Sequence, residues 1–483
     1  MACVALLSAG CSQKIDETEL SVSVPVKSVK SESGSQLVRV TATGDWTLEL
    51  QYSDGGGWAE IDQNSGTDSQ SGILFVWGTN SSEDERICTL VLKKGDDIRM
   101  KRIGFKEQKV VGHTFLVNGK PVLRRNMYAQ YYRGGEAFRR KYDADDLHIT
   151  KEIRGRGTLE PGRLIKGMEQ KEAIYDMKPC DELFAKIDEV IEKAKDGKGV
   201  FYYISDEPEC RNVSTVYLKY IYDYVSEKDP YHVILSCSRA GERYIDCADW
   251  FETHPYLNPH EVDGKRVYGR APNEISRDFN SIGSFVDAFH PERHPDKCIG
   301  GTPTCFTYSL GDYPTFEEYL ANVWCEFLRG AKTLYPFAYY DMGSRAALYE
   351  GTRYIFSSAE ALEPVLLLGK RQTLARTSEY EAALWTTPDG EKMFCAQNFT
   401  GGALKVTVPG LSGEFREFRG KRTFAPKGEL KVELKPLESL VATTKAYDKG
   451  LPTFEETRAK IDALEKERLG RPNQLLGRSK DME

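Results

Sequence analysis

The stretch Gly199-Val200-Phe201-Tyr202-Tyr203-Ile204-Ser205-Asp206-Glu207-Pro208-Glu209 changes character abruptly in its middle. Its first half is apolar, aromatic and β-branched over the length of a strand, and its second half carries three carboxylates around a proline. Because a buried strand does not tolerate charges in its middle, we expect the chain to leave the core at Ser205. In a parallel α/β barrel that exit is the carboxyl end of a strand, where catalytic groups lie.

The segments on both sides of this stretch have helical periodicity. Apolar residues from Leu183 to Ile191 recur on one face of a helix predicted over 180–194. A second helix is predicted over 213–225 and ends before a Lys-Asp-Pro stop. Helix, strand, acidic end and helix together make one repeat of a (β/α)8 barrel.

The repeats continue towards the carboxyl terminus. Four strands after Glu207 place that residue at the end of strand four. Before it, residues 139–150 are predicted as the first helix, and residues 151–170 show no clear strand pattern. The later elements are strands predicted over 231–237, 248–256, 297–306 and 334–341, and a helix predicted over 315–328.

Composition excludes several classes of function. The chain has 483 residues, enough for more than one domain, and a formal net charge of -7 with mixed signs, so nothing favours a nucleic-acid partner. Its 11 Cys contain no CxxC and its seven His no HExxH, so we expect neither a metal nor a cofactor. Cys237, Cys298, Cys305 and Cys325 lie in apolar contexts and are predicted to be buried thiols rather than disulfides.

The amino-terminal residues form a short apolar run that ends in small residues before a cysteine. Residues 2–10 (ACVALLSAG) precede Cys11-Ser12, and the pattern resembles a bacterial lipoprotein signal. This resemblance implies a lipid on Cys11, a polar tether over 12–35, and attachment to the outer membrane, the cell surface or the periplasmic face through the lipid alone. No other run reaches the roughly 18 apolar residues that span a bilayer.

Residues 36–111 alternate short strands with turn signals, which predicts a small β-sandwich. Its motifs resemble the BACON domain, an immunoglobulin-like module of exported Bacteroidetes glycan-degrading proteins. We expect Trp46 and Trp58 to be core residues rather than a sugar platform. The resemblance is carried by Gly44-Asp45-Trp46, Trp58-Ala59-Glu60-Ile61, Asn64-Ser65-Gly66, Asn80, Arg86 and Glu107-Gln108.

Residues 112–375 resemble the (β/α)8 barrels of clan A glycoside hydrolases. In that clan the acid/base Glu ends strand four within Asn-Glu-Pro, and here Asp206-Glu207-Pro208 matches with Asp replacing Asn. The resemblance therefore implies that Glu207 is the general acid/base and that the substrate is a carbohydrate. Its pKa would have to be raised, either by burial or by the neighbouring carboxylate of Asp206.

A second carboxylate is harder to find. Clan A places a nucleophilic Glu at the end of strand seven, where this chain has Gly300-Gly301-Thr302. Glu252 on strand six and Asp341 on strand eight could each serve instead. Alternatively, an Asp-Glu pair resembles N-acetylhexosaminidases, in which Asp206 would orient the substrate's acetamido group as nucleophile. The glutamates on the helix over 315–328, which are Glu317, Glu318 and Glu326, are predicted to be surface or cap charges.

Aromatic rings at the other strand ends are expected to stack on flat apolar sugar faces. His254 is a candidate ligand for a sugar hydroxyl, and a buried core role is equally open. After the barrel, 376–446 is predicted to be a second β-sandwich that supports it, and 447–483 a charged helical tail on the surface. The candidate rings are Tyr128, Tyr131, Tyr132, Tyr203, Trp250, Tyr256, Tyr308, Tyr339 and Tyr340.

Three functions remain open from the sequence. The leading one is an exported glycoside hydrolase; the second is a glycan-binding protein on a barrel that has lost its chemistry, since strand seven has no Glu. The third is a metal-dependent hydrolase using Asp206, Glu207, His254 and Asp341, which the scattered histidines disfavour. The sugar, the linkage, the mechanism and the oligomeric state stay undetermined.

Overall fold

The computed structural model describes most of the chain in two compact units, Met1–Glu107 and Gln108–Glu483. Cys11, Tyr308, Tyr340 and Asp341 lie outside the described residues, as do Tyr131, Tyr132, Tyr339 and residues 139–146 of the predicted first helix. Across the described segments, no helix is long and apolar enough to cross a membrane. The described residues are 20–25, 28–82, 86–105, 107–128, 147–150, 155–168, 175–195, 200–254, 256–268, 279–306, 313–337 and 345–469.

The first unit is built from two antiparallel-rich sheets, ordered β1-β3-β7-β5 and β2-β9-β8-β4-β6. Alternating residues of their strands point inward and share one core, in which Trp46 is buried and Trp58 packs at the edge. Strand residues begin at Ser21, within the segment 12–35 that was interpreted as a tether. The strands are β1 Ser21–Ser23, β2 Ser28–Val29, β3 Gly34–Thr41, β4 Asp45–Tyr52, β5 Ala59–Ile61, β6 Ser65–Thr67, β7 Gln70–Trp77, β8 Arg86–Lys94 and β9 Asp97–Phe105.

The second unit opens with a small antiparallel sheet and continues into a seven-stranded parallel sheet, which we call the barrel sheet. Its strand order is β13-β21-β20-β17-β16-β15-β14, and every pairing in it is parallel. The first strands are β10 Gln108–Val111, β11 Thr114–Val117 and β12 Lys120–Pro121; the barrel sheet contains β13 Arg124–Arg125, β14 Gly155–Thr158, β15 Val200–Asp206, β16 Ile234–Cys237, β17 Trp250–Thr253, β20 Cys298–Gly301 and β21 Thr333–Leu334; β18 Pro259–Val262 and β19 Lys265–Tyr268 form a hairpin.

The free edge of β13 has a further neighbour. The backbone N–H of Thr150 donates to the carbonyl of Arg125 at 2.9 Å, and Thr150 Oγ1 accepts from the Arg125 N–H at 2.8 Å. Residues 147–150 therefore occupy the position of a second barrel strand, so the helix predicted through residue 150 does not extend over them. The curled sheet is consistent with a (β/α)8 barrel, with β15 as strand four as predicted.

Helices cover the outer face of the barrel sheet. The predicted helix over 315–328 begins with a capping box, in which Thr315 Oγ1 accepts from the Glu318 N–H and Glu318 returns a bond to the Thr315 N–H. The helices are α1 Pro161–Leu164, α2 Asp181–Lys195, α3 Thr215–Lys228, α4 Phe279–Asp287, α5 Phe316–Leu328, α6 Ala346–Ala361 and α7 Glu363–Leu368, with 3-10 turns at Pro208–Arg211, Gly241–Cys247 and Pro291–Arg293.

Strand residues alternate between two cores. Tyr202 and Ile204 point outward to the helices, whereas Phe201 and Tyr203 point into the barrel. Phe115 and Val117 of β11 join the inner core, so the opening hairpin closes one end of the barrel. The polar carboxyl ends of the strands, including Asp206 and Glu207, therefore lie at the opposite end of the barrel.

The carboxyl-terminal region is a β-sandwich followed by a helix. Gln397 donates to the Ala321 carbonyl at 2.7 Å, and Arg329 to Glu381 at 2.6 Å, so the sandwich packs on α5. The last helix buries Ile461 in the same core rather than lying free. Its elements are β22 Lys370–Arg376, β23 Tyr380–Thr386, β24 Lys392–Asn398, β25 Leu404–Ser412, β26 Phe415–Glu417, β27 Thr423–Phe424, β28 Lys427–Leu434, β29 Ser439–Thr443 and α8 Phe454–Leu469.

Candidate active site at the barrel mouth

Glu207 has an unusual backbone at the end of strand four. Its φ of 46° and ψ of 55° lie in the left-handed region, which is uncommon for a residue other than glycine and for one that precedes a proline. Left-handed geometry costs an L-residue on the order of 1 kcal/mol, and a following proline adds to the restriction. The Glu207 N–H donates to the Cys237 carbonyl at 2.8 Å, which holds the turn in place. Strain of this kind, retained at a strand end, is typical of functional residues.

The carboxylate of Glu207 faces a buried histidine. Its side chain is 38% exposed, and Glu207 Oε1 lies 2.7 Å from His254 Nε2. His254 follows β17, and its Nδ1 lies 3.3 Å from Cys237 Sγ. The contact with His254 lowers the pKa of Glu207, against an opposing effect of burial. A general acid requires a raised pKa, whereas this histidine, from a strand distant in sequence, lowers the pKa of Glu207.

Asp206 is held from inside the barrel. The hydroxyl of Tyr203 donates to Asp206 Oδ1 at 2.9 Å, and it also hydrogen-bonds the hydroxyl of Tyr128. Burial raises the pKa of Tyr128 well above its ordinary value, so this hydroxyl stays protonated. The chain of hydroxyls fixes Asp206 beside Glu207.

Three of the four described members of the predicted aromatic platform are interior packing. Tyr128, Tyr203 and Trp250 are buried in the inner core, so their assignment to an open cleft was wrong. Tyr256 is half-buried and packs near His254, with ring centroids 5.4 Å apart. His254 therefore contacts Glu207 directly, and Tyr256 lies next to His254.

Glu252 does not reach the mouth. Its side chain has no exposed surface, its Oε1 accepts from Thr333 Oγ1 at 2.7 Å, and Arg124 lies 3.5 Å away. Burial raises the pKa of Glu252 to about 8, against an opposing effect of Arg124. The Arg124 guanidinium instead stacks on the rings of Phe201, Trp250 and Tyr335. The prediction that Glu252 serves as a carboxylate at a strand end was therefore wrong.

The glycine pair of strand seven makes room for carboxyl groups on both faces. A Cβ on Gly300 would lie 2.5 Å from Glu252 Oε2, and a Cβ on Gly301 would lie 1.7 Å from Glu326 Oε2. Glu326 is fully buried on α5, and burial raises its pKa well above the ordinary value. The prediction of a surface charge at Glu326 was thus wrong, whereas Glu318 is a cap and Glu317 pairs with Arg458 at 2.9 Å.

Glu209 is also tied to the fold. It accepts from Ser238 Oγ and from the Arg239 N–H, both at 2.9 Å. These bonds fasten the loop after strand five, and Glu209 is half-buried rather than free in solvent. Of the two glutamates that flank Pro208, Glu207 is therefore the more exposed.

Arg124 and Glu326 were missed as buried charged residues by sequence reasoning. Glu326 could have been noticed, because only Asn322 and Glu326 interrupt the apolar run 319–328, and a helix that is apolar all round is buried. The described segments contain no group of three His, Cys, Asp or Glu arranged to hold a metal ion. All nine cysteines of the described part are free thiols, including the four predicted to be buried.

Comparisons with known proteins find structures but no sequence relatives. No family model and no curated protein matches the chain. Similar structures include a protein from Bacteroides fragilis described provisionally as an α-galactosidase, with 11% identity, TM-score 0.41, and coverage of 89% of this chain and 98% of that one. The β-glucuronidase of Ruminococcus gnavus is similar over 66% of this chain and 62% of its own, with 13% identity and TM-score 0.40. At these TM-scores the likeness carries no argument about activity, and the case rests on the residues.

Proposed function

We propose that the barrel domain hydrolyses glycosidic bonds of an oligo- or polysaccharide, with Glu207 as general acid/base. The observation that carries the proposal is the strained, solvent-reaching Glu207 at the end of strand four, 2.7 Å from a buried histidine. We also propose that the first unit is a BACON-like module and that the protein is exported and lipidated at Cys11, as its sequence motifs suggest.

In the ligand-free protein Glu207 is ionised, because His254 lowers its pKa. Burial already opposes that effect, and a sugar filling the mouth would exclude more water and raise the pKa again. Glu207 would then hold a proton beside the glycosidic oxygen. Donating it as the C–O bond breaks, and recovering a proton from the attacking water, completes one acid/base cycle.

The second carboxylate is the open part of the proposal. Glu252 is unsuitable as a nucleophile because it is enclosed and its raised pKa keeps it largely protonated at neutral pH. Asp341 remains a candidate. Asp206, oriented by Tyr203, remains the candidate for a substrate-assisted route, in which an acetamido group attacks instead. Activity confined to N-acetylhexosaminides would favour Asp206.

The test compares substrates that differ in their need for a proton. General acid catalysis contributes about 100- to 10,000-fold, so Glu207→Gln should lose that order of rate on a natural glycan. The acidic phenol of an activated aryl-glycoside leaves without being protonated, so cleavage of that substrate should be much less affected by Glu207→Gln. Glu227→Gln, on the exposed face of α3, is the matched control. Equal losses on both substrates would contradict the assignment.

A non-catalytic, glycan-binding barrel is the second candidate. It is favoured by the lowered pKa of Glu207 and by the enclosure of Glu252. A wild-type protein that binds a glycan but cleaves none of a broad panel, and whose binding survives Glu207→Gln, would establish it.

A further inference from the structure

Two arginines lie on the strand-four side of the barrel mouth. Arg239 belongs to the loop after strand five, two residues beyond Cys237, whose carbonyl accepts the Glu207 N–H at 2.8 Å. Its guanidinium reaches back over the 3-10 turn that follows Glu207, where its Nη2 lies 3.4 Å from Cys210 Sγ. Arg211 is the last residue of that turn. Both guanidinium groups therefore belong to the segments that hold the Glu207 carboxylate.

The guanidinium of Arg239 is loosely held. Its side chain is 35% exposed, and its Nε lies 3.9 Å from Glu209 Oε1, beyond hydrogen-bond distance. The Glu209 carboxylate accepts instead from Ser238 Oγ and from the Arg239 backbone N–H, both at 2.9 Å. The contact with Cys210 is weak, because a thiol sulfur is a poor acceptor. A fork of charged N–H donors is therefore accessible to a stronger acceptor from solvent.

Arg211 adds positive charge to the same side of the mouth. Its Nη1 lies 3.5 Å from Glu160 Oε1, and Arg163 Nε lies 2.6 Å from the other oxygen of that carboxylate. Because one carboxylate serves two arginines, positive charge remains on this side. After strand six the mouth instead has the ring of Tyr256, half-buried and 5.4 Å from the His254 ring.

These groups favour a particular ligand chemistry. A planar guanidinium matches the paired oxygens of a carboxylate or of a tetrahedral oxyanion, and such charge-assisted bonds are about twice as strong as neutral ones. Asp206 and Glu207 repel an anion elsewhere at the mouth, so their charges confine it to the arginine side. A ring such as Tyr256 suits the apolar face of a sugar. Together they fit a sugar that carries one negatively charged group.

We propose that Arg239 selects an acidic sugar, a uronate or a sulfated residue, in the glycan that binds at the barrel mouth. The proposal rests on the proposed function for its choice of a glycan as the ligand. The shared chemistry of the two sources is an oxyanion that accepts from the guanidinium.

An acidic sugar would also prepare Glu207 for acid catalysis. In the ligand-free protein the pKa of Glu207 is lowered first by His254 and then by the two arginines. A substrate anion that pairs with Arg239 offsets its positive charge and adds a negative charge nearby. The pKa of Glu207 therefore rises, and the carboxylate takes up from water the proton that a general acid must donate.

The experiment measures binding, so that it succeeds or fails independently of hydrolysis. The full chain is titrated calorimetrically with oligosaccharides of polygalacturonate, alginate and hyaluronan, each paired with its carboxyl-reduced, uncharged form. Chondroitin 6-sulfate oligosaccharides, paired with their desulfated form, separate sulfate from uronate as the source of the charge. We expect at least one charged probe to bind about 10- to 100-fold more tightly than its partner.

Variants assign the preference to one side chain. Arg239→Gln should weaken binding of that charged probe by about 10- to 100-fold and change binding of its partner by less than about 2-fold. Arg239→Lys keeps the charge without the fork and should lose less. Arg243→Gln is the matched control: it removes an equal charge from an exposed arginine of the following 3-10 turn, whose guanidinium lies 5.2 Å from the Tyr244 ring, and should keep the preference.

Three results would each overturn the proposal: no binding of any charged probe, equal affinity within every pair, or equal losses in Arg239→Gln and Arg243→Gln. Cleavage of uncharged glycans without such a preference would contradict the role of Arg239 and leave hydrolysis standing. Binding of a charged probe through Arg239, with no cleavage of any probe, would support the role of Arg239 and contradict hydrolysis.

Discussion

Glu207 and Glu252 are carboxylic acids of the same barrel with opposite electrostatics. Glu207 lies at the end of strand four, reaches solvent, and has its pKa lowered by His254. Glu252 lies on strand six inside the barrel, has no exposed surface, and has its pKa raised to about 8 by burial. Asp206, next to Glu207, and Glu252 both pair with Cys237 across β16, so about two strand spacings, on the order of 10 Å, separate them.

The comparison shows that position along the barrel axis decides the role of a carboxylate. At the mouth, His254 lowers the pKa of Glu207 and keeps its carboxylate ionised. In the interior, aromatic rings and the glycines of strand seven enclose Glu252, and burial keeps its carboxyl group protonated. We therefore expect interior changes to alter stability and changes at the mouth to alter activity.

The largest expected effect is on stability from the interior. Glu252→Ala leaves a cavity in the barrel interior and removes the acceptor of the Thr333 hydroxyl, and truncating a fully buried side chain of this size typically costs about 2–5 kcal/mol. Glu207→Ala, at the half-exposed mouth, should change the free energy of unfolding by less than about 1 kcal/mol. Denaturant titration of both full-length variants measures the difference. Similar losses in the two variants would break the comparison.

The free energy of unfolding should depend on pH because of the raised pKa of Glu252. Its folded pKa of about 8 exceeds the ordinary value of 4.5, so the folded chain binds a proton that the unfolded chain releases. Stability is therefore fully retained below about pH 4.5 and lost as pH rises towards 8, by at most about 1.4 kcal/mol per pH unit. Glu252→Gln should remove this loss. If unfolding of wild type and variant runs parallel from pH 5 to 8, Glu252 is not a buried acid.

A smaller effect is expected at strand seven. Gly301→Ala places a Cβ on the Glu326 carboxyl, and overpacking of this kind costs about 1–3 kcal/mol. Adding Glu326→Ala should make the double variant more stable than the sum of the single losses predicts. Gly402→Ala, which meets open space, is the control. Additive losses would mean that the glycine serves some other purpose.

The smallest expected effect is a gain. Glu207→Gly relieves the left-handed backbone and should stabilise the protein by about 0.5–1 kcal/mol while removing the carboxylate. Glu429→Gly, at an exposed strand position, should not stabilise. Thermal unfolding of both variants decides whether strain is stored at the mouth, and a loss of stability in Glu207→Gly would show that it is not.

The sequence by itself determined many of the elements, most clearly from residue 180 onwards. The apolar run ending in Asp206-Glu207-Pro208 predicted a strand end, and β15 ends at Asp206. Periodicity located α2, α3 and α5, and alternation located both sandwiches, because local side-chain spacing is set by helix and strand geometry. These features need only neighbours along the chain.

Only the tertiary structure decided what each charged residue does. His254 reaches Glu207 across two strands, Arg124 reaches Glu252 across more than a hundred residues, and Glu326 meets Gly301 from a helix. None of these contacts has a local signature in the sequence. The pKa of a carboxyl group depends on the water and charges within a few ångströms, and those are assembled by folding rather than by sequence order.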